Sequence, residues 1–382
     1  MEFLKLTEDQ KVLLDSTRRY LDRRIKPLRQ EYNNRAIPKP LAHEVLGELS
    51  ELGFIGGTLP QELGGGSLSY LTEGLLYEQL AKVFSGLAGI AFIQGSVAKT
   101  IALEGTEQQR RAYLKGLMKG ELIGCVAITE PDVGSNPSDV KATATRGSDG
   151  WVISGEKSWI SNGDISDLCI VVAKRSTGEG LSRFILERAD GYTSSDIDKM
   201  AMNEWPTSIM HFDRIPIPAW RQLGTEGKGL KATLKGFEIA RAYVALLALG
   251  IAEASLEAAI EYSKQRRQWG KPIGQHQLVQ QMLADMAIMT DAARLLTLRG
   301  LMLIDEGVRC DTQTSMAKAY ATEAAVKVAS IAVQIHGAYG ISKEYPVERL
   351  FREARILPIP DGTTQIQQLI ISRHLERAGL PF

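Results

Sequence analysis

Leu14, Thr17, Leu21 and Ile25 recur at three- and four-residue steps, the spacing that gathers side chains on one face of a helix. Residues 41–52 and 71–83 continue the period, and the Gly-rich stretch 53–66, with Pro60, interrupts it. Residues 1–120 are therefore expected to form an N-terminal helical domain. The period then changes. Residues 151–160 alternate and predict a hairpin turning at Gly155, residues 168–173 and 183–187 are short apolar runs, and Pro216 and Pro218 punctuate the end. A middle antiparallel β domain, a barrel or small sheet, is expected over 121–225. From 226 the helical period returns: Leu278, Met282, Met286, Met289, Ala293, Leu296 and Leu303 form one stripe, with Gly307 as a stop. The next helix is expected from Asp311 to near Gly337, with Ala317, Ala324, Val328, Ile331 and Ile335 on one face. These Met and Ala stripes read as core rather than cofactor contacts. Residues 226–382 form a C-terminal four-helix bundle in this reading, packed on itself and on a partner subunit. The fold class is α+β, helical, then β, then helical.

Composition narrows the function classes. The 382 residues carry 45 basic and 45 acidic side chains, so no net field attracts nucleic acid or an anionic membrane. No apolar run approaches the roughly 20 residues of a membrane span. The opening Met1 to Glu8 is amphipathic and acidic rather than signal-like, so a cytoplasmic location is expected. Cys125, Cys169 and Cys310 form no CxxC pair and are expected as buried thiols. The five histidines lack ligand spacing, so no metal site is expected. Neither GxGxxG after a strand nor GxxxxGK[ST] is present, and Gly64-Gly65-Gly66 lacks the strand–helix context of a phosphate cradle.

Three segments of the last third combine polar residues with turns, and each has two readings. Arg266 and Arg267 precede Gly270 and Pro272. They either complement the dipole of a helix ending at Gly270 or form a guanidinium fork for phosphate, walled by Trp269. Gln334 to Gly340 is either a plain helix C-terminus or a turn open to close backbone approach. Asp361, on a Pro-Gly turn before an apolar run, is either a helix N-cap or a general base.

Ordered motifs decide between these readings. They are Ala127-Ile128-Thr129-Glu130-Pro131-Asp132-Val133-Gly134-Ser135, Gly155-Glu156-Lys157-Ser158-Trp159-Ile160-Ser161-Asn162 and Arg266-Arg267-Gln268-Trp269-Gly270. Met282-Leu283-Ala284-Asp285-Met286, Glu344-Tyr345-Pro346-Val347-Glu348 and Asp361-Gly362-Thr363-Thr364-Gln365-Ile366-Gln367 follow. With them the chain resembles the flavin-dependent acyl-CoA dehydrogenases from end to end. The resemblance implies FAD bound without a Rossmann fold. Thr129 and Ser135 match contacts near the isoalloxazine edge, Trp159 the ring stacked on the flavin, and Ser161 a position usually threonine. Arg266, with Trp269 beside it, Gln334 and Gly337 match a neighbouring subunit's grip on the FAD diphosphate and adenosine, and Thr363 and Gln365 match contacts beside the base. Ser135, Glu238, Arg241 and Arg309 match the path of CoA. A homotetramer, a role in fatty acid metabolism and an acceptor such as an electron-transfer flavoprotein are implied too.

The implied chemistry is α,β-dehydrogenation of an acyl thioester, with Asp361 taking the α-proton and hydride leaving Cβ for the flavin. The family's usual base here is glutamate preceded by tyrosine; this chain has aspartate preceded by Pro360. The carboxylate is retracted by about 1.5 Å, and a misplacement of ~1 Å can cost about a hundredfold in rate. Some branches carry the base just ahead of an arginine matching Arg241, where this chain has Ala240; Glu238 is the reserve candidate. Asn136 and Ala338 replace a usual aspartate and glycine. The alternatives are a carrier-protein-thioester dehydrogenase of a biosynthetic pathway, a nitroalkane-oxidase-like enzyme, which also uses an aspartate base, and a catalytically silent flavoprotein. Gln368 stands where the nitroalkane branch leads one to expect an arginine.

Overall fold

The computed structural model describes residues 4–176 and 178–380 and divides into two compact units. One gathers the chain up to Glu31, Tyr70–Ala88 and everything from Phe237; the other holds Tyr32–Ser69 and Gly89–Gly236. Along the chain, a helical region precedes a sheet and a second helical region follows it.

The helical region comprises α1 (Glu8–Tyr20), α2 (Lys26–Glu31), α3 (Lys39–Glu51), α4 (Tyr70–Glu104), α5 (Glu107–Gln109) and α6 (Lys115–Met118). Thr7 caps α1 in a reciprocal box with Gln10. The stripe of Leu14, Thr17, Leu21 and Ile25 is buried, as its spacing requires. Inside α4, Phe84 leaves helical geometry (φ −152°, ψ 83°).

The sheet contains β1 (Gly124–Ala127), β2 (Thr143–Arg146), β3 (Gly150–Ser161), β4 (Leu168–Arg175), β5 (Leu181–Glu187), β6 (Thr193–Asp196), β7 (Thr207–Pro218) and β8 (Gln222–Leu223). Its order is β6-β7-β3-β2-β4-β5-β8, with β1 on β4. Most pairs are antiparallel; β1 and β2 each run parallel to β4. Gly155 does not turn a hairpin. β3 runs through it, and the glycine sits at a bulge opposite β7, with φ 142° and no room for a Cβ beside Ala142. Pro216 and Pro218 lie within β7, beyond the stretch paired with β6, where a missing N–H costs no bond on that side. The core is lined by Val171, Phe184, Leu186, Met210 and Phe212.

The last region has α7 (Gly229–Gln265), α8 (Gln277–Asp305), α9 (Asp311–His336), α10 (Val347–Ile356) and α11 (Thr364–Ala378). Gly307 follows α8 at φ 69° and Gly337 closes α9 at φ 59°, positive-φ glycines at the stops that the sequence marks. Between α7 and α8, β9 (Arg267–Gln268) and β10 (Lys271–Pro272) form a small hairpin. The helix thus ends at Gln265, not Gly270: Trp269 and Gly270 both take positive φ, the requirement of a two-residue hairpin turn. All three cysteines are buried free thiols. By length and composition alone, Tyr70–Glu104, Gly229–Gln265 and Asp311–Ile341 could cross a membrane, contrary to the run-length reading.

Candidate active site

The bundle builds a turn around Asp361. Pro358 O accepts the Thr364 N–H (3.1 Å) and closes the loop on itself. Lys318 of α9, with no exposed surface, donates from Nζ to Pro358 O and Gly362 O, both at 2.8 Å. Gln367 of α11 donates from Nε2 to Gly362 O (2.7 Å) and Asp361 O (3.1 Å). Thr363 caps α11, its Oγ1 accepting from Ile366 N. Thr364 Oγ1 donates to Glu323 Oε1 at 2.7 Å. Asp361 is therefore not the helix cap. It sits at the apex in the left-handed region, φ 53°, a conformation aspartate tolerates better than most residues. The Pro358, Asp361 and Gly362 carbonyls of the turn all accept hydrogen bonds, yet among the described residues no hydrogen bond or ion pair falls on the Asp361 carboxylate. Burial raises this carboxyl above its usual range; the charges of Lys318 and Arg241 pull it partly back.

Three residues expected along the CoA path meet at the start of α9. Glu238 Oε1 accepts the Cys310 N–H (2.5 Å), Arg309 Nε donates to Asp311 Oδ2 (2.6 Å), and the buried Arg241 lies 3.8 Å from Asp311 Oδ1. Glu238 is thereby engaged at the α9 N-terminus, which weakens it as a reserve base. Among the described residues Arg241 leaves Nε and Nη1 without hydrogen bonds. Arg266 lies over the Tyr339 ring, 5.7 Å from its centroid. Gln334, Gly337 and Gln365 are exposed, and Trp269, 92% exposed on its hairpin tip, touches no wall of its own chain's core.

The sheet unit carries the other matching residues. β3 bulges between Lys157 and Ile160, and Trp159 takes φ 60° there, which leaves its ring 60% exposed although Ser158 and Ile160 on either side are buried. Ser158 N donates to Thr129 O (2.9 Å) and ties this bulge to the loop of Thr129 and the exposed Ser135; Ser161 is half-buried. Beneath them Lys157 Nζ, fully buried, donates to Ile128 O and Glu130 Oε1, both at 2.9 Å. Glu130 also accepts from Lys141 N (2.7 Å) and Ala142 N (2.8 Å). Burial alone would raise the Glu130 carboxyl, but Lys157 and these amides hold it below the usual range. An outward indole, a buried Ser158 Oγ with no partner among the described residues and the open space around Gly134 fit a flat aromatic group with polar edges.

Lys318, Gln367 and the Glu130–Lys157 pair have no role assigned from the sequence. Lys318 carried a signal nonetheless: Thr314, Lys318, Ala321 and Ala325 share one face, and a lone charge on an alanine stripe marks a built polar site.

A helical–β–helical chain with an aromatic shelf and an unpartnered carboxylate on a braced turn has the parts of a flavoprotein oxidoreductase. Profiles of the acyl-CoA dehydrogenase N-terminal, middle and C-terminal domains match residues 7–121, 125–215 and 227–376. The chain belongs to the acyl-CoA dehydrogenase family. It is 33% identical to a 3-(aryl)acrylate reductase of Clostridium sporogenes, over 97% of this chain and 99% of that one. Its structure matches butyryl-CoA dehydrogenase from Megasphaera elsdenii with a TM-score of 0.92 and 34% identity, covering 98% and 100% of the two chains. A glutaryl-CoA dehydrogenase from Mycobacterium smegmatis, solved in complex with FADH2, matches with a TM-score of 0.90 and 29% identity, covering 99% and 97%. The enzyme is an FAD-dependent oxidoreductase acting on acyl-CoA.

Proposed function

We propose that this enzyme oxidises the Cα–Cβ bond of an acyl-CoA with Asp361 as the base that takes the α-proton. The observation that carries the reading is the turn itself: its backbone is anchored at both ends while the carboxylate at its apex has no partner among the described residues. A base must be ionised and free to accept, and Lys318 and Arg241 favour ionisation against the opposing effect of burial. Thr129, Ser135, Trp159 and Ser161 would hold FAD from the sheet, and Thr363 and Gln365 from the turn. Arg266, Trp269, Gln334 and Gly337 would serve the cofactor of a neighbouring subunit, which their exposure permits. FAD, when bound, supplies the acceptor for the electron pair leaving Cβ. Arg241, Glu238, Arg309 and Ser135 would line the CoA path, and an electron-transfer flavoprotein would reoxidise the enzyme. A homotetramer in the cytoplasm completes the proposal. The homotetramer is supported by exposed Leu278, Ile288, Leu295 and Met302 on α8 and by an apolar pocket of about 550 Å³ lined from α8, α9 and Phe351 of α10.

Anaerobic titration with a panel of acyl-CoA thioesters tests the reading. At least one should bleach the oxidised flavin absorbance, and Asp361→Ala should slow that bleaching by about 10²- to 10⁴-fold, the usual worth of a general base. Bleaching lost in Glu238→Ala but kept in Asp361→Ala would move the base to Glu238.

A further inference from the structure

We infer that Lys318 is a positioning residue for Asp361: its ammonium fixes the turn that carries the carboxylate and keeps that carboxylate ionised. The inference rests on Asp361 being the base. Lys318 is fully buried on α9, among Thr314, Ala317, Ala321 and Thr322, where a charge is costly unless something needs it. Its two hydrogen bonds go to the carbonyls on either side of Asp361, Pro358 O and Gly362 O. Both carbonyls also have neutral donors, Thr364 N for the first and Gln367 Nε2 for the second. Each of these two carbonyls thus has a neutral donor already, and Lys318 adds a second bond to each together with a positive charge.

That charge acts on the Asp361 carboxyl, drawing it back towards ionisation against burial. The charged groups around the turn are Lys318 and Glu323 from α9 and Arg241 from α7; the first turn of α11, Thr364 to Gln367, is neutral. Glu323 is occupied by Thr364 Oγ1. Arg241 divides its attraction between Asp311, Glu238 and Asp361. Burial pushes the Lys318 ammonium down to about 8, with Asp361 and Glu323 opposing the shift, so it remains charged at neutral pH. Removing the positive charge would raise the pH at which Asp361 ionises.

The test uses the flavin-loaded enzyme and the acyl-CoA that bleaches the wild-type flavin fastest, followed by anaerobic stopped flow across pH. Lys318→Gln and Lys318→Met should move the acid limb of the bleaching rate upward by about one pH unit, and Lys318→Arg should return it. An unmoved limb in flavin-loaded Gln and Met variants overturns the inference. If neither variant holds flavin, Lys318→Arg decides. A wild-type limb with a rate reduced at least about tenfold supports a fixed turn geometry, and a wild-type rate overturns it. Asp361→Ala separates the two readings: bleaching retained there sinks the assignment of the base. Bleaching lost there, with an unmoved limb in the Lys318 variants, sinks only the role of Lys318.

Discussion

Trp159, Trp269 and Asp361 take φ of 60°, 52° and 53°, in the region that non-glycine residues rarely enter. Each is held there by its own surroundings: a strand bulge, a hairpin tip and a braced turn. Such positions persist only where neighbours over-determine them. Lys157 and Glu130 do this beneath Trp159 and Thr129, as a buried ion pair whose remaining atoms are bonded to backbone. Lys157→Met alone or Glu130→Gln alone should destabilise the protein by about 3–5 kcal/mol, because each leaves its partner buried without a counter-charge. The double variant should recover part of that loss in urea unfolding, and strictly additive losses would show the two residues to act independently.

Among the elements, β3 shows what a period cannot reveal. Its alternation is real, but the Gly155 that reads as a turn is a bulge within one long strand. A Cβ there would lie 2.7 Å from Ala142 Cβ, and φ 142° is unfavourable for other residues. Gly155→Ala should cost about 1–3 kcal/mol, read as a lower urea midpoint; an unchanged midpoint would mean that the bulge relaxes freely. α9 was legible from end to end because Asp311 and Gly337 mark its limits. The basic segment after α7 was not, since Arg267 and its neighbours suit a helix end as well as a hairpin and only the φ of Trp269 and Gly270 separates the two.

For the whole molecule, the raised carboxyl of Asp361 links activity to stability. A group whose folded value lies above its unfolded one contributes stability that is full below the unfolded value, about 3.9 for aspartate, and is lost as pH rises through the folded value. The base works in its ionised form. Flavin reduction should therefore rise with pH over the same interval in which Asp361 withdraws its contribution to stability. Asp361→Asn, which mimics the protonated carboxyl, should melt above the wild type at neutral pH in thermal denaturation while losing flavin reduction. A lower melting temperature would mean that Lys318 and Arg241 outweigh burial.

The sequence by itself determined the succession of helical, β and helical regions, because the periods of 3.6 and 2 record which faces are buried. Its ordered motifs determined the family, and with it Asp361, Trp159 and Arg266 as candidate site residues. Tertiary structure decided that Thr363 rather than Asp361 caps α11, that Glu238 serves the α9 N-terminus, and that Lys318, 43 positions before Asp361 by number, braces its turn. Each of these depends on which polar atom faces which partner across helices distant in sequence. Local periodicity carries no record of such meetings, whereas a buried donor or acceptor must find a partner only after the chain has closed around it.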